Sequence, residues 1–462
     1  MPTPEGKPPP TRRGGGAGRR RRASVLGGFL VAVLLAGVGC DGQSVEPDPA
    51  PPTSAPVELT FGVYGTAEEV AAYSAMAERF DDDRSGLGVE VVSWPGHEAA
   101  VAAMRAADEL PDVFLVDWED LSWLMAEERI QPVDDLLDER GVQFGDGLAR
   151  EAVLAFAQDN ALQCLPYGVS PMVVYYNTDL VDFDRMTLRG LPAPDLLELR
   201  WNFEEFSAAA EFATRPRRGT RGVHVDPTLT GLSPFIRSGG GQVFDDDKEP
   251  TSLAFSEDDS RTALETTLQV LRNPILTLTP SQLARRPAVE WFKRGRLGML
   301  VGFRDLVPEL RATEGLSFDV MPMPVLDDAA TVGELTGFCL SADAANTAAA
   351  ADLLVHLSSP ASVGEVASTG YLVPADLRVA ESGVFLRPDL QPASASVFND
   401  SVRSLVQPPL IPDPTALAEA VEPSIRRMLT VPVLDLESAT EQIDAASRTV
   451  LSPESASPSP SE

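Results

Sequence analysis

Aromatic, hydroxyl and acidic side chains come directly after three successive predicted strands in the N-terminal part of the chain. They are Tyr64 and Thr66 after the first strand, Trp94 after the second, and Asp117, Trp118 and Glu119 after the third. An aromatic face offers flat apolar surface to the CH face of a pyranose, and a carboxylate accepts hydrogen bonds from hydroxyl groups. Aromatic residues make up only 6% of the chain, so their recurrence at strand ends suggests a binding site for a polyhydroxylated solute. Each aromatic taken alone is equally typical of a packing residue.

Catalytic groups are harder to assign. The chain has three histidines, His97, His224 and His356, and each stands apart from the residue types that would complete a catalytic set. His97 and Glu98 are not followed by the second histidine of a zinc-protease motif, and the sequence contains no G-x-S-x-G nucleophile turn. A carboxylate pair of the glycosidase type stays open, because nothing in so acidic a chain selects one pair. We therefore expect a binding protein and not an enzyme.

Two aspartate runs and two glycine runs are reminiscent of cofactor motifs but do not match them. Residues 81–83 and 245–247 are Asp-Asp-Asp, yet neither run fits the EF-hand loop with its central glycine and terminal glutamate. Residues 14–16 and 239–241 are Gly-Gly-Gly, yet the Lys-Ser/Thr of a phosphate-binding loop does not follow. We expect solvated loops at the aspartate runs and a tight turn at 239–241, whereas residues 14–16 belong to the N-terminal signal peptide; we expect neither a metal nor a cofactor.

The elements that must position the strand-end residues follow from hydrophobic periodicity. Residues 57–63 alternate as a strand does, residues 70–80 repeat at helical spacing, and residues 89–92 form a second strand. A helix at 101–107 then leads to the apolar run 113–116, which is typical of a buried parallel strand. The order β-α-β-α-β predicts an open α/β sheet, and such sheets hold ligands beyond the carboxyl ends of their strands.

Two further helix starts can be identified from capping residues. Asn202 with Glu205 three positions later matches a capping box, which predicts a helix that begins there. Asn346 precedes an alanine-rich segment that runs through His356, and it predicts a second capped helix.

The N-terminus has the features of an export signal. Arginines at 12, 13 and 19–22 precede an apolar stretch at 25–39, and Cys40 follows. The run Leu-Ala-Gly-Val-Gly-Cys at 35–40 resembles a bacterial lipobox, so we expect residues 1–39 to be removed and Cys40 to be lipidated. An ordinary signal peptide and an uncleaved anchor helix are the alternatives. The proline-rich residues 40–56 predict an extended tether, and residues 451–462 predict a similar disordered tail.

Length and charge limit the remaining possibilities. A chain of 462 residues exceeds the size of a single hydrophobic core, so two lobes are expected. It carries 69 acidic against 37 basic residues, a formal net charge of −32, which argues against nucleic acid as a partner. Apart from the predicted anchor, no apolar run is long enough to span a bilayer.

A series of short motifs runs in one order through the predicted globular part. They are PDVF at 111–114, IQPVDDLL at 130–137, LPYG at 165–168, VYYN at 174–177, WNFEEF at 201–206, WFKRGRLGM at 291–299, MPMP at 321–324 and GYLVPA at 370–375. In this order, behind a lipobox, they resemble the extracellular solute-binding family 1, which includes maltose-binding protein. No single motif is specific, but their collinear order is.

The resemblance implies an α/β fold of the two-lobed periplasmic-binding-protein kind, type II-like, with a ligand cleft between lobes that are joined by crossing hinge strands. It places residues 57–165 and 339–385 in the N-terminal lobe. Residues 166–338 and the C-terminal helices of 386–450 then form the second lobe. Closure of such lobes couples binding to docking on a membrane permease.

The same resemblance implies a function and further site residues. It predicts a monomeric lipoprotein of an ABC importer that binds a sugar; an exported enzyme and a solute sensor on the same scaffold are the alternatives. It places Tyr167 and Ser170 next to the hinge and Phe303 and Arg304 at the cleft. It also places Cys164 and Cys339 on neighbouring hinge strands, where a disulfide would form if both sulfurs face each other; otherwise they are two buried thiols.

Overall fold

The computed structural model describes residues 57–82, 86–142 and 147–453. The predicted signal peptide, the lipidation site Cys40, the tether up to residue 56 and residues 454–462 of the predicted tail lie outside these ranges. The twelve strands within them are β1 Val57–Tyr64, β2 Leu87–Trp94, β3 Val113–Asp117, β4 Ile130–Gln131, β5 Ala157–Gln158, β6 Ala161–Leu162, β7 Cys164–Pro171, β8 Val173–Asn177, β9 Arg221–His224, β10 Leu297–Gly302, β11 Phe318–Met321 and β12 Gly333–Ser341.

Helices cover the faces of the sheets and close the C-terminal end of the described chain. They are α1 Ala67–Asp82, α2 His97–Ala106, α3 Leu121–Ala126, α4 Asp134–Asp138, α5 Arg150–Phe156, α6 Phe183–Leu188, α7 Phe203–Ala213, α8 Leu229–Ser238, α9 Asp258–Leu271, α10 Pro280–Leu283, α11 Ala288–Lys293, α12 Leu306–Arg311, α13 Thr347–Leu357, α14 Pro360–Thr369, α15 Leu377–Ala380, α16 Gly383–Leu386, α17 Ser396–Ser401, α18 Pro414–Thr430 and α19 Leu436–Leu451. Short 3-10 turns occupy Trp118–Asp120, Pro216–Arg218 and Val402–Ser404. Among the described residues, no helix is both long and apolar enough to cross a bilayer.

The first lobe is built on a six-stranded sheet in the order β2-β1-β3-β12-β4, with β7 also paired to β12. β1 runs parallel to β2 and β3, so the carboxyl ends of these three strands meet at one edge of the sheet. β12 runs antiparallel to β3 and to β7. Side chains of this sheet and of the helices around it form one contiguous apolar core.

The second lobe is built on a four-stranded sheet in the order β11-β8-β10-β9. Successive residues of a strand point to opposite faces, and the two faces of this sheet carry separate cores. Val174 and Tyr176 of β8 pack into one core, whereas Val173 and Tyr175 pack into the other. The predicted α/β fold with two lobes is thereby confirmed.

Two of the points at which the chain crosses between the lobes are adjacent. Met172 separates β7 from β8, and Val332 precedes β12; the Met172 amide donates to the Val332 carbonyl at 2.8 Å. The resemblance placed the lobe boundaries at 165/166 and 338/339. In the structure β7 and β12 pair with each other in the first sheet from Cys164 to Pro171 and from Gly333 to Cys339.

Cys164 and Cys339 form a disulfide across these two strands. They are directly opposite in the antiparallel pairing, with their Cα atoms 4.3 Å apart, and both are fully buried. The pairing shifts register by one residue between Thr336 and Gly337, which leaves Tyr167 of β7 as an extra, bulged residue. Register decides this bond, since a slip of one residue at the cysteines would turn one sulfur to the other face of its strand.

The disulfide should contribute strongly to stability, because it spans 175 positions of the chain. Reduction with dithiothreitol is expected to lower the free energy of unfolding by about 4–5 kcal/mol in the chain-entropy model. Urea unfolding of the oxidised and the reduced protein measures this difference. The matched control is the double variant Cys164→Ala/Cys339→Ala, whose unfolding should not respond to the reductant. Recovery of both cysteines as free thiols from the unreduced, exported protein would contradict the bond.

Candidate ligand-binding cleft

The cleft between the lobes begins where β3 ends. The Asp117 carboxylate accepts a hydrogen bond from the Glu119 amide at 3.0 Å, and this cap starts the 3-10 turn Trp118–Asp120. The turn directs Trp118 inward, where its indole nitrogen donates to the Ala155 carbonyl at 2.9 Å and leaves the side chain 4% exposed. Glu119 is exposed to solvent. One short turn thus presents a carboxylate and the edge of an indole to the cleft.

A cavity of about 190 Å³ lies between the lobes at this point. Trp118 and Glu119 line it from the first lobe, and Thr230 of α8 and Phe244 line it from the second. Its remaining wall is largely the proline-containing segment 406–411 and the adjoining end of α18. Larger grooves occur on the outer surface of the second lobe, but both lobes contribute side chains to this cavity, as a site that closes on a ligand requires.

Sequence reasoning missed the second-lobe wall of the cavity. Thr230, Ser233, Phe244 and Gln407 all line it. Thr230 stands two positions after Thr228, which caps α8 through a bond from the Gly231 amide at 3.0 Å. The cap identifies a helix start, but no local pattern shows that this helix faces residues more than 100 positions earlier in the chain.

Five carboxylates are linked by Coulombic interactions near the end of β3, and Glu119 among them lines the cavity. They are Glu69, Asp117, Glu119, Asp305 and Glu334. Desolvation, and then the charge of Glu119, raises the pKa of Asp117 to about 7. Desolvation in the cleft, followed by the charges of Asp305 and Asp117, raises the pKa of Glu334 to about 8. The pKa values of the other three carboxyls are also raised, chiefly by desolvation.

His97 and Asp120 form a pair behind these carboxylates. The His97 Nε2 atom lies 2.7 Å from the Asp120 carboxylate, which also accepts from the Trp123 indole at 3.0 Å. Burial lowers the pKa of His97, but the hydrogen bond and the charge of Asp120 outweigh it, so the pKa is raised. The imidazole lies 5.5 Å from the ring of Tyr64, measured between centroids. His97 therefore has a partner that its sequence context did not reveal, and this partner holds the turn in place.

The other predicted residues at the strand ends have different surroundings. Tyr64 is half-buried beside Asp117, and desolvation with that charge raises its pKa. Thr66 is exposed, and its amide and hydroxyl donate to the Glu69 carboxylate at 2.9 and 3.0 Å, which starts α1. Trp94 is half-buried beside Gly62 and is not among the residues that line the cavity.

Two of the predicted contact residues are deeply buried in this structure. Tyr167 is 2% exposed, and its ring packs against Phe338 with the centroids 4.4 Å apart. Arg304 is fully buried; it donates to the Gly370 carbonyl at 2.9 Å, and its guanidinium lies 4.5 Å from the ring centroid of Phe385. Burial lowers the pKa of Arg304 to about 10. Both side chains pack near the crossing strands, and their contact with a ligand stays a prediction.

Ser170 and Phe303 connect strands near the point where the chain crosses between the lobes. The Ser170 hydroxyl accepts from the Arg304 amide at 3.1 Å, which joins β7 to the end of β10. Phe303 is half-buried against the core of the second lobe, and its carbonyl accepts from the Tyr175 hydroxyl.

The aspartate run at 245–247 forms a loop, as expected. Asp245 accepts hydrogen bonds from the amides of Thr251 and Ser252 at 2.9 and 3.1 Å. Within residues 57–82, 86–142 and 147–453, no group of three or more His, Cys, Asp or Glu side chains is arranged to hold a metal.

Solved structures share this architecture. An ABC substrate-binding protein from Listeria monocytogenes, solved with cycloalternan, is 18% identical at a TM-score of 0.71, over 85% of this chain and 98% of that one. The GacH receptor of Streptomyces glaucescens, solved unliganded and with acarbose, is 18% identical at a TM-score of 0.69, over 86% of this chain and 99% of that one. The maltotriose-binding protein of Thermus thermophilus is 17% identical at a TM-score of 0.64, over 85% of this chain and 99% of that one. These likenesses confirm the two-lobed fold.

The family itself is identified from the sequence match. The family described as bacterial extracellular solute-binding protein matches residues 64–364, which is more than half of the chain and includes both crossing strands. The match includes the strand ends that carry Tyr64, Trp94 and Asp117. The chain belongs to the bacterial extracellular solute-binding protein family.

Proposed function

We propose that this protein binds a sugar or oligosaccharide in the cleft between its lobes and delivers it to the permease of an ABC importer. The observation that carries the proposal is the cavity of about 190 Å³ that both lobes line. A solute held there would contact both lobes at once, so binding would favour the closed arrangement over the open one.

The chemistry of the cavity suits a sugar ring. The exposed edge of Trp118, together with Phe244 and the prolines of segment 406–411, supplies apolar surface, and Glu119 and Thr230 supply polar groups from opposite lobes. Sugars present apolar CH faces together with hydroxyl groups, and binding sites of this composition combine apolar walls with a few directional polar contacts. The cleft carboxylates add hydrogen-bond acceptors for hydroxyl donors.

The ligands named for the similar structures support the same class. The proteins from Listeria monocytogenes, Streptomyces glaucescens and Thermus thermophilus were solved with cycloalternan, acarbose and maltotriose, respectively. We extend an oligosaccharide ligand to this chain as a proposal, because it shares their two-lobed fold and has a cavity at the junction of its lobes.

Titration calorimetry of the protein with maltotriose, cycloalternan and acarbose tests this function. We expect saturable binding of at least one of the three. Glu119→Gln should weaken that binding by about tenfold or more, because hydrogen bonds to a charged group contribute about 1.5–3 kcal/mol. Thr230→Val should weaken it in the same direction by removing a hydroxyl from the opposite wall.

Matched controls are available on the same protein. Glu127 and Thr430 are exposed and do not line the cavity, so Glu127→Gln and Thr430→Val should bind as the wild type does. Absence of binding of all three sugars would contradict the proposed ligand class. Wild-type affinity in both cavity variants would contradict the proposed position of the site.

The raised pKa of Asp117 predicts a pH dependence of stability. At pH values between the ordinary pKa of an aspartate and about 7, the Asp117 carboxyl binds more protons in the folded protein than in the unfolded chain. The stability that Asp117 contributes is therefore lost as the pH rises from about 4 to about 7. Relative to wild type, Asp117→Asn should gain up to about 3 kcal/mol between pH 4.5 and pH 8.

Urea unfolding of both proteins across this pH range measures the difference. Asparagine keeps a side-chain oxygen that can accept from the Glu119 amide, so the cap is preserved. Parallel stability curves for variant and wild type would show that Asp117 keeps its ordinary pKa.

We also propose that Cys40 carries a lipid anchor on the outer face of the cytoplasmic membrane, with residues 40–56 as tether. The support is the lipobox-like run at 35–40 and the extracellular family to which the chain belongs. Cys40→Ala should abolish lipidation and move the protein out of the detergent phase in a phase-partition experiment. Unchanged partitioning and unchanged mass of the variant would contradict the anchor.

A further inference from the structure

Five arginines surround a groove of about 620 Å³ on the second lobe, and we call this feature the arginine groove. They are Arg185 in α6, Arg189 directly after it, and Arg215, Arg217 and Arg218 in the segment that follows α7; Phe212 forms the floor between them. The Arg189 guanidinium lies 5.4 Å from the Phe212 ring centroid. The groove is separate from the cavity between the lobes and shares no residue with it.

The turn that carries three of these arginines is held in a fixed shape. The Arg215 amide donates to the Thr220 hydroxyl at 2.9 Å, and that hydroxyl donates to the Ala213 carbonyl at 2.9 Å. Thr220 is 3% exposed, so it anchors the turn to the core. Gly219 closes the turn with φ of +71°, a conformation that favours glycine. The guanidiniums are therefore presented by an ordered scaffold.

These arginines have no acidic partners among the described residues of the chain. None of the five takes part in an ion pair there, although other arginines do, as in the pair of Arg140 with Asp352 at 2.5 Å. The whole chain has 69 acidic and 37 basic residues. In so acidic a protein, five guanidiniums that form no ion pair within the described part of the chain, around one groove, make a positive surface that an anion would neutralise.

Exposed leucines lie close in the chain to one of the groove arginines. Leu188 is 87% exposed and directly precedes Arg189, and Leu191 is 40% exposed two residues after it. Leu197, farther along the same connection, is 94% exposed. Guanidiniums beside exposed leucines fit the boundary between phosphate headgroups and acyl chains, where charge and apolar contact both contribute. An acidic loop of a partner protein would account for the arginines but not for the exposed leucines.

We propose that the arginine groove docks the second lobe onto the phosphate headgroups of an anionic membrane surface. The remainder of the protein is strongly acidic and is repelled by the same surface, so the groove would set the orientation of the body relative to the membrane. The inference uses the proposed lipid anchor only to bring the membrane within reach; its charge argument is independent of the anchor and of the solute.

Labelling of arginine side chains by phenylglyoxal, read by mass spectrometry, tests the proposal on the full mature protein. The protein is bound to vesicles of phosphatidylcholine alone or of phosphatidylcholine with one third phosphatidylglycerol. We expect the groove arginines to react about tenfold more slowly on the anionic vesicles. The exposed Arg150 and Arg403 should react equally on both. Raised salt should remove the protection, because it shortens the range of the interaction.

A charge-reversal variant supplies the second arm. In Arg185→Glu/Arg217→Glu/Arg218→Glu, the remaining Arg189 and Arg215 should lose their protection on anionic vesicles. The matched variant Arg150→Glu/Arg403→Glu/Arg448→Glu should keep it. Equal labelling on both kinds of vesicle would overturn the proposal. Protection by free inorganic phosphate on neutral vesicles would overturn it too, since the groove would then bind a small anion.

Failure of the anchor can be told apart from failure of the groove. If the wild-type protein does not bind vesicles of phosphatidylcholine alone, the lipid anchor on Cys40 has failed, and this result says nothing about the groove. In that case the groove is tested by recruitment to anionic vesicles, which should occur for wild type and be lost in the groove variant. Equal recruitment of both proteins would overturn the docking proposal.

Discussion

The antiparallel pairing of β7 with β12 is the contact on which the two-lobed arrangement depends. Both strands lie in the first sheet, and each continues within one residue into the second lobe, so their pairing determines where the lobes meet. The bulge at Tyr167 frees a carbonyl that accepts from the Ala375 amide at 2.9 Å, which brings the returning chain alongside β7. The disulfide lies at the far end of this pairing from Pro171 and Gly333, where the chain crosses. It can therefore stabilise the first lobe without restraining the crossing itself.

The same pairing assembles the cleft. β12 lies between β7 and β3, and Thr336 is opposite Asp117, so Glu334, two residues earlier on the same face of β12, is brought to the end of β3. Asp117 and Glu334 interact only because β12 runs antiparallel to its neighbour, although they are more than 200 positions apart in the chain. Desolvation raises the pKa values of both carboxyls, and the charge of Asp117 adds to the rise at Glu334.

Electrostatics separate two functions on this molecule. The cleft concentrates carboxylates that suit hydroxyl donors and disfavour anions, and the arginine groove concentrates guanidiniums on another face of the second lobe. If the groove docks on the membrane as proposed, an anionic lipid surface would attract one face of the protein and repel the cleft. Solute binding and membrane orientation would then be served by surfaces of opposite charge.

The sequence alone determined the local elements. The strands predicted at 57–63, 89–92 and 113–116 are β1, β2 and β3, each longer by one to four residues, because alternation of apolar residues is a property of neighbouring positions. The capping box of Asn202 and Glu205 and the cap at Asn346 are present for the same reason: their hydrogen bonds join residues three apart. The collinear motifs were sufficient for the family.

Tertiary structure decided which residues line the cleft. Trp118 was predicted at a strand end and Tyr167 next to the hinge, yet a 3-10 turn and a bulge direct both into the core, and only an edge of Trp118 reaches the cavity. Arg304 is a cation that sequence reasoning placed at the cleft, yet it is enclosed by Phe385, Phe398 and backbone carbonyls. Thr230 and Phe244 line the cavity without any local signal. Local patterns record hydrogen bonds between near neighbours, whereas the wall of a cleft depends on how segments more than 100 residues apart pack together.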